Sequence, residues 1–366
     1  MKDIFKPYTF KNGTTIKNRF CLAPMTTYSS NDDLTLSEEE EVYYNSRAKQ
    51  FGMIITAATA ISKNAQAFEN QISIRDIRYL DSMTRLANSI KKEGSKAILQ
   101  IHHGGRMNPP GLYNGQDIVS ASAVKAERDY CVTPRELRTS EVYDIIDDFV
   151  DATKLAIKAG FDGVELHGAN TYLIQQFFSP HSNQRDDEFG GSDKKRLSFP
   201  LKLTKRLLRT KQHYATEEFI IGYRFSPEEI ENPGITLDQT KVLVNQLCKL
   251  GVDYLHISLG KHDQLSIRDK ENTISIANQL LEVIDGRVPL IGVGGLDTLP
   301  KIEEAFKSGY DLVALGLIAL SDIEVIDKFK ENVKPTKIIS KDSLLPSPLF
   351  NRLSQWNLES KGYSVK

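Results

Sequence analysis

Three segments of the chain repeat one pattern: a glycine, an aspartate two residues later, and then a short apolar run. They are KAGFDGVELHG (158–168), KLGVDYLHISLG (249–260) and KSGYDLVALG (307–316). Glycine often ends a helix in the left-handed conformation, and an uninterrupted β-branched or leucine-rich run is typical of a buried strand. Each segment therefore predicts a helix that leads directly into a strand of a parallel sheet.

Five further segments have the apolar character of buried strands. They are 18–25, 50–60, 93–105, 217–227 and 287–295. Between strands, segment 140–160 has apolar residues at three- and four-residue spacing, which predicts a helix capped by Ser140 and ended by Gly160. About eight apolar strands separated by helices predict an α/β fold, a single (β/α)8 TIM barrel over 1–333. A doubly wound sheet is the alternative, but no strand leads into G-x-G-x-x-G.

Charge and composition exclude several classes of partner and site. The chain has 366 residues, and 47 Lys and Arg against 48 Asp and Glu give a net charge of -1, so no overall field attracts nucleic acid or an anionic membrane. Without a secretory signal or a long apolar run, a cytoplasmic protein is expected. Cys21, Cys131 and Cys248 are far apart in sequence, which predicts no metal site and no disulfide framework.

Polar residues follow the predicted strands at the ends where a barrel builds its active site. His167, Asn170 and Tyr172 closely follow the run 164–166 of the predicted strand in segment 158–168. Adjacent glycines follow the seventh strand, and barrels often bind phosphate between the seventh and eighth strands. The sequence therefore predicts an active site that takes a phosphate-bearing ligand.

Several of these segments occur together in one known family. They are APMTTYS (23–29), QIHHGGR (100–106), HGANTYLIQQFFSPHSNQRDDEFGGS (167–192), YRFSP (223–227), and GVGG (292–295) followed by LVALG (312–316). In this order they resemble the Old Yellow Enzyme family of FMN-dependent ene-reductases and NAD(P)H oxidoreductases, over residues 1 to about 330. The resemblance implies FMN as cofactor, NAD(P)H as electron donor, a small-molecule acceptor and ping-pong kinetics.

The resemblance also implies roles for individual residues around the acceptor. His167 and Asn170 match the pair that hydrogen-bonds the electron-withdrawing oxygen of the substrate, and Tyr172 matches the proton donor. Tyr28 is a further candidate for a substrate contact. His102 and His103 are adjacent on a strand and point to opposite sides, so structural hydrogen bonding is the better interpretation of both.

A second set of residues matches the positions that hold FMN in the family. Pro24, Met25, Thr26 and Ala58 match the isoalloxazine contacts, Gln100 and Arg224 the pyrimidine side, and Gly294, Gly295 and Gly316 the phosphate cradle. Many relatives have arginine directly after the last glycine, where this chain has Leu317. The backbone N–H of Leu317 can still donate to phosphate, so FMN is expected to bind with fewer charge-assisted contacts.

Two other functions and one structural alternative stay open at this point. A phosphate-binding aldolase or isomerase would need a Schiff-base lysine or a carboxylate base, for which Lys261 and Glu165 are the candidates. A non-catalytic flavin-binding protein is the other.

In the extension 334–366, helical spacing of Leu349, Phe350, Leu353 and Trp356 predicts a short amphipathic helix. This helix docks either on its own barrel or on a partner subunit, so a homo-oligomer is left open.

Overall fold

Eight parallel strands form a closed barrel in the computed structural model, which describes residues 3–112 and 117–366. The strands are β1 (Phe20–Leu22), β2 (Met53–Ile55), β3 (Lys96–His102), β4 (Gly163–Gly168), β5 (Ile220–Phe225), β6 (Tyr254–Ile257), β7 (Leu290–Gly292) and β8 (Leu312–Leu315). Each strand pairs with the next, and β8 closes the barrel on β1 through Val313 and Phe20. The predicted TIM barrel is confirmed, and the doubly wound alternative is wrong.

Helices separate the strands along the chain. They are α1 (Glu38–Ala48), α2 (Leu80–Lys91), α3 (Thr139–Lys158), α4 (Leu173–Phe178), α5 (Asp193–Arg196), α6 (Ser198–Tyr214), α7 (Leu237–Leu250), α8 (Ile276–Ile284), α9 (Leu299–Lys307), α10 (Leu317–Ser321), α11 (Val325–Lys330) and α12 (Ser347–Arg352). The cap predicted at Ser140 is wrong: Glu141 Oε2 accepts the Arg138 N–H at 2.7 Å, so α3 begins before Ser140.

The barrel interior is apolar at one end and polar towards the other. A buried cluster separate from the main core takes alternate residues from the strands, among them Met53 and Ile55 of β2. Phe10 and Ile16, from the hairpin formed by Tyr8–Thr9 and Thr15–Ile16, belong to the same cluster and close that end. The polar interior residues therefore lie towards the opposite end, where the candidate site is found.

The C-terminal extension packs against the same chain. The predicted amphipathic helix is α12, continued by a short 3-10 turn, and its Leu349 and Leu353 are fully buried. Arg352 lies over the Tyr28 ring, 4.4 Å from its centroid, and forms an ion pair with Glu69. These contacts are those expected for docking on the chain's own barrel.

Two further properties of the described residues concern the cysteines and the apolar character of the helices. The three cysteines are free and buried. Within residues 3–112 and 117–366, no helix has both the length and the apolar character that crossing a bilayer requires. Residues 1–2 and 113–116, which belong to the predicted domain 1–333, lie outside the described residues.

Candidate active site

The end of β4 and the loop after it bring the side chains of His167, Asn170 and Tyr172 to one place, and the loop has an unusual backbone conformation. Asn170 and Thr171 both have left-handed backbones, with φ of +56° and +68°. The N–H of Asn170 donates to Ser226 Oγ at 2.9 Å, and the N–H of Tyr172 donates to the Ala169 carbonyl at 3.2 Å. Two consecutive non-glycine residues in this region cost conformational energy, which is typical of functional loops.

A small cavity opens at the carboxyl ends of the strands. Its lining residues are Pro24, Thr26, Ala58, Phe68, Gln100, His167, Asn170, Tyr172 and Arg224. All of these except Phe68 are among the predicted site residues. Phe68 comes from the long segment between β2 and α2 and belongs to no motif in the sequence. The cavity therefore joins the predicted flavin contacts and the predicted substrate contacts in a single site.

Hydrogen bonds fix which atoms of His167 and Asn170 can donate. Asn170 Oδ1 accepts from Ser258 Oγ at 2.8 Å, and Ser258 Oγ also accepts from Arg224 Nη2 at 3.3 Å. This assigns the amide oxygen of Asn170 and leaves its Nδ2 protons available as donors. Nδ1 of His167 accepts a long 3.4 Å hydrogen bond from the Ala169 N–H, so the proton of a neutral ring lies on Nε2.

Burial sets the protonation of two titratable groups of the site, His167 and Tyr172. Burial lowers the pKa of His167 well below its ordinary value, and the nearby His102 and Arg224 make smaller contributions in the same direction. Burial, with smaller contributions from Tyr130 and Tyr28, raises the pKa of Tyr172 above its ordinary value. At neutral pH the site therefore presents a neutral imidazole and a protonated phenol.

His102 contacts a residue of the site in addition to its predicted structural hydrogen bonding. The Gln71 side-chain oxygen accepts from the backbone N–H of Ala67 and Phe68, which orients its amide nitrogen towards His102 Nδ1 at 3.1 Å. The predicted structural hydrogen bond of His102 is therefore present. In addition, its ring packs edge-on against Tyr172, with centroids 4.3 Å apart, and has Nε2 buried without a partner. Strand alternation could have found this contact, because Gln100 and His102 share a face.

Buried neutral histidines make the stability of the fold depend on pH. Burial lowers the pKa of both His102 and His103 to about 3, from an ordinary value of 6.5. Below a pH of about 6.5 the unfolded chain binds protons that the folded chain does not, so the free energy of unfolding falls by up to about 1.4 kcal/mol per pH unit for each histidine. His103→Gln is expected to reduce the loss between about pH 7 and pH 5 by up to about 2 kcal/mol.

Urea denaturation at both pH values measures this difference. The matched control is His213→Gln, because His213 is exposed. An unchanged pH dependence in His103→Gln would contradict the assignment of a buried neutral ring at His103.

The glycines that are predicted to hold the phosphate lie at the ends of β7 and β8. Gly294 has φ of +109°, and a Cβ there would lie 2.7 Å from the Lys261 N, so no other residue fits without a shift of the backbone. Gly295 has φ of +67°. Gly316 precedes α10, and a Cβ there would lie 3.7 Å from Met25 Sδ, which places Met25 beside the end of β8. Met25 follows the cavity-lining Pro24 directly, so Gly316 lies near the cavity.

Tyr28 lies outside the residues that line the cavity. Its ring is covered by Arg352 and packs edge-on against Phe68, with centroids 5.7 Å apart. It therefore supports a lining residue of the cavity, and its predicted substrate contact stays a prediction.

The two residues that a different barrel chemistry would need do not line the cavity. Glu165 is completely buried in the barrel interior and is engaged by Gln100, Tyr254 and His256. Lys261 is exposed in the loop after β6. Within the described part of the chain, no group of three or more His, Cys, Asp or Glu residues could hold a metal ion. The cavity therefore lacks both the base and the lysine of the aldolase or isomerase alternative.

Comparison of the sequence with known proteins shows the family. The model of the NADH:flavin oxidoreductase / NADH oxidase family matches residues 3–335. The chain is 43% identical over 330 residues to the probable NADH-dependent flavin oxidoreductase YqiG of Bacillus subtilis. The aligned region covers 90% of this chain and 88% of that protein. The chain is 45% identical over 316 residues to NADH:fumarate oxidoreductase of Klebsiella pneumoniae, covering 86% of this chain but 34% of that relative. The chain therefore spans about a third of the length of the second relative.

Solved structures with the same barrel agree with this result. Morphinone reductase superposes with a TM-score of 0.78 at 25% identity, covering 91% of this chain and 90% of that one. An old yellow enzyme homologue from Zymomonas mobilis gives 0.77 at 26% identity, covering 91% and 94%. With the closed barrel, its cavity and the match over residues 3–335, these similarities show that the chain belongs to the NADH:flavin oxidoreductase / NADH oxidase family, the Old Yellow Enzyme family, and is an FMN-dependent oxidoreductase that takes electrons from NAD(P)H.

Proposed function

We propose that the protein transfers a hydride from NAD(P)H, by way of FMN, to an electron-poor small molecule such as an activated alkene, in a ping-pong cycle. The observation that carries the proposal is the single cavity that holds His167, Asn170 and Tyr172 together with the predicted flavin contacts. A non-catalytic flavin-binding protein would have no use for a neutral donor pair beside a protonated phenol.

The residues of the site fit FMN. Arg224 has a buried Nε without a hydrogen-bond partner, which suits it to an acceptor on the pyrimidine edge. Gln100 would hold the same edge. Gly294 would offer its backbone N–H to the phosphate, and the space beside Gly295 is open, because a Cβ there would meet no atom within 4 Å. The other proposed contacts are Pro24, Met25, Thr26 and Ala58 for the ring, and Gly295, Gly316 and the Leu317 N–H for the phosphate. When bound, FMN supplies the redox chemistry of the reaction.

His167 and Asn170 are proposed to bind the electron-withdrawing oxygen of the acceptor. Both donors are neutral, and the hydrogen bonds of Ser258 and Ala169 orient them. Because the site is buried, their hydrogen bonds strengthen as negative charge develops on that oxygen. The pair therefore polarises the double bond without carrying a charge of its own.

Tyr172 is proposed to protonate the acceptor carbon next to the site of hydride addition. Its raised pKa keeps the proton on the phenol at neutral pH, and its ring lies 4.9 Å from that of His167. A proton donor at this place can act on the same molecule that His167 binds.

The ping-pong order is proposed because one cavity is lined by both the predicted flavin contacts and the predicted substrate contacts. NAD(P)H and the acceptor would then use the same face of the flavin in turn. Initial rates at varied NAD(P)H and enone concentrations are expected to give parallel lines in double-reciprocal plots. Intersecting lines would contradict the shared site.

Leu317 offers a direct test of how the phosphate is held. Leu317→Arg at the start of α10 is expected to lower the FMN dissociation constant by about tenfold, because it adds a charge-assisted hydrogen bond. FMN fluorescence quenching on the cofactor-free protein measures the constant, with Leu317→Met as the uncharged control of similar size. Equal affinities in the two variants would show that the phosphate does not lie near residue 317.

A further inference from the structure

Glu165 is the centre of a hydrogen-bond network inside the barrel, below the cavity. It lies in β4 and is completely buried. One carboxylate oxygen accepts from Gln100 Nε2 at 2.6 Å, and the other accepts from Tyr254 Oη at 2.9 Å and contacts His256 Nδ1 at 2.9 Å. Side chains from β3 and β6 thus provide hydrogen-bond partners for both oxygens, as the burial of a carboxylate requires.

The carboxylate carries its negative charge in this position. Although burial alone would raise it, His256, Arg224 and the hydrogen bond from Gln100 hold the pKa of Glu165 below its ordinary value. The same attraction acts on Arg224, since Glu165 favours the charged form of that guanidinium against burial. A fixed negative charge therefore lies close to the cation that lines the cavity.

The network fixes the orientation of the Gln100 amide. Gln100 lines the cavity, and its nitrogen is held by Glu165. The acceptor oxygen is then the polar atom of this side chain that remains to face the cavity. A flipped amide would place its oxygen against the carboxylate, where two acceptors repel each other. Glu165 thus determines whether the cavity offers an acceptor or a donor at Gln100.

We infer that Glu165 is a positioning residue for the pyrimidine edge of FMN: it presents the oxygen of Gln100 to the imide N–H of that edge and balances the charge of Arg224. The inference rests on the proposed use of Gln100 and Arg224 to hold FMN. It follows that Glu165 raises the affinity for FMN. It also lowers the midpoint potential of FMN, because reduction adds negative charge to the ring beside a carboxylate.

The variant Glu165→Gln tests both effects in the full-length protein. The FMN dissociation constant is expected to rise by about tenfold or more, because the amide of Gln100 is free to flip and lose a hydrogen bond. The midpoint potential is expected to move to a more positive value. Tyr254→Phe is the matched control: it removes one hydrogen bond from Glu165 but keeps the carboxylate and its contact with Gln100. A smaller change in both quantities is expected there.

The measurements are FMN titration of cofactor-free protein, spectroelectrochemistry of the loaded protein, and thermal unfolding without FMN. A role in stability alone would lower the unfolding temperature and leave the potential unchanged, and that result would overturn the inference. So would equal shifts of potential in Glu165→Gln and Tyr254→Phe.

Two further outcomes separate the inference from its premise. If Glu165→Gln does not fold, Glu165→Asp keeps the charge but draws it away from Gln100, and unchanged FMN affinity in that variant would contradict the positioning role. If the wild-type protein itself binds no FMN, both the proposed function and this inference fall. Wild-type binding with an unaffected Glu165→Gln overturns the inference alone.

Discussion

Tyr172→Phe is expected to slow the reduction of an enone by about 10²- to 10⁴-fold, while the reduction of bound FMN by NAD(P)H changes by less than about threefold. The substitution removes the only atom by which this side chain can give a proton. It leaves the ring that packs between His102 and His167. The loss should therefore fall on the half-reaction that needs a proton at carbon.

Stopped-flow absorbance separates the two half-reactions. Tyr143→Phe is the matched control, because it removes a phenol hydroxyl that bonds Glu188 at 2.7 Å on the surface and leaves the cavity unchanged. An equal loss of both half-reactions in Tyr172→Phe would remove the assignment of Tyr172 as proton donor.

His167→Ala is expected to lower kcat/KM for an enone by about 10²- to 10³-fold, since it removes one of two donors to the developing negative charge. Asn170→Ala should lower kcat/KM by a similar factor. The factor for the double variant should be smaller than the product of the two single factors, because both side chains bind the same oxygen. FMN content should stay close to that of the wild type.

The pH profile of the same reaction tests the protonation state of His167. Because burial lowers the pKa of His167, the ring stays neutral and enone reduction should be nearly constant between about pH 6 and pH 8. An imidazolium donor would give a different profile. The wild-type rate would fall as the pH rises, with a midpoint near the ordinary histidine pKa of about 6.5, and the rate of His167→Ala would not depend on pH in this range.

The fold could be predicted because the repeated Gly-x-Asp pattern has a direct structural cause. Gly160, Gly251 and Gly309 all have positive φ and end the helices that precede β4, β6 and β8. Each following aspartate accepts a hydrogen bond from a backbone N–H of the preceding barrel strand. These bonds join Asp162 to Ala97, Asp253 to Ile221 and Asp311 to Leu290, at 2.9, 2.7 and 3.3 Å. The pattern thus records both the end of a helix and the pairing of two parallel strands.

Parts of the site could not be predicted, because they depend on contacts between distant segments. Phe68 reaches the cavity from a long loop whose path no periodicity describes. Glu165 stands between apolar residues of a strand, and only the partners contributed by β3 and β6 show why a carboxylate is there. The orientation of Asn170 depends on Ser258, which lies 88 residues further along the chain. Sequence motifs therefore identify residues that contact the ligand more readily than they identify the residues that orient those side chains.

The central claim is that one cavity serves both the nicotinamide and the acceptor through bound FMN. Anaerobic titration of the FMN-loaded protein with NADH and with NADPH, followed by visible absorption, tests it most directly. Bleaching of the flavin absorption by at least one of the two, and its recovery on addition of an enone, is the predicted result. Flavin that binds but is not bleached by either nucleotide, or that is bleached and not restored by enones, would contradict the account.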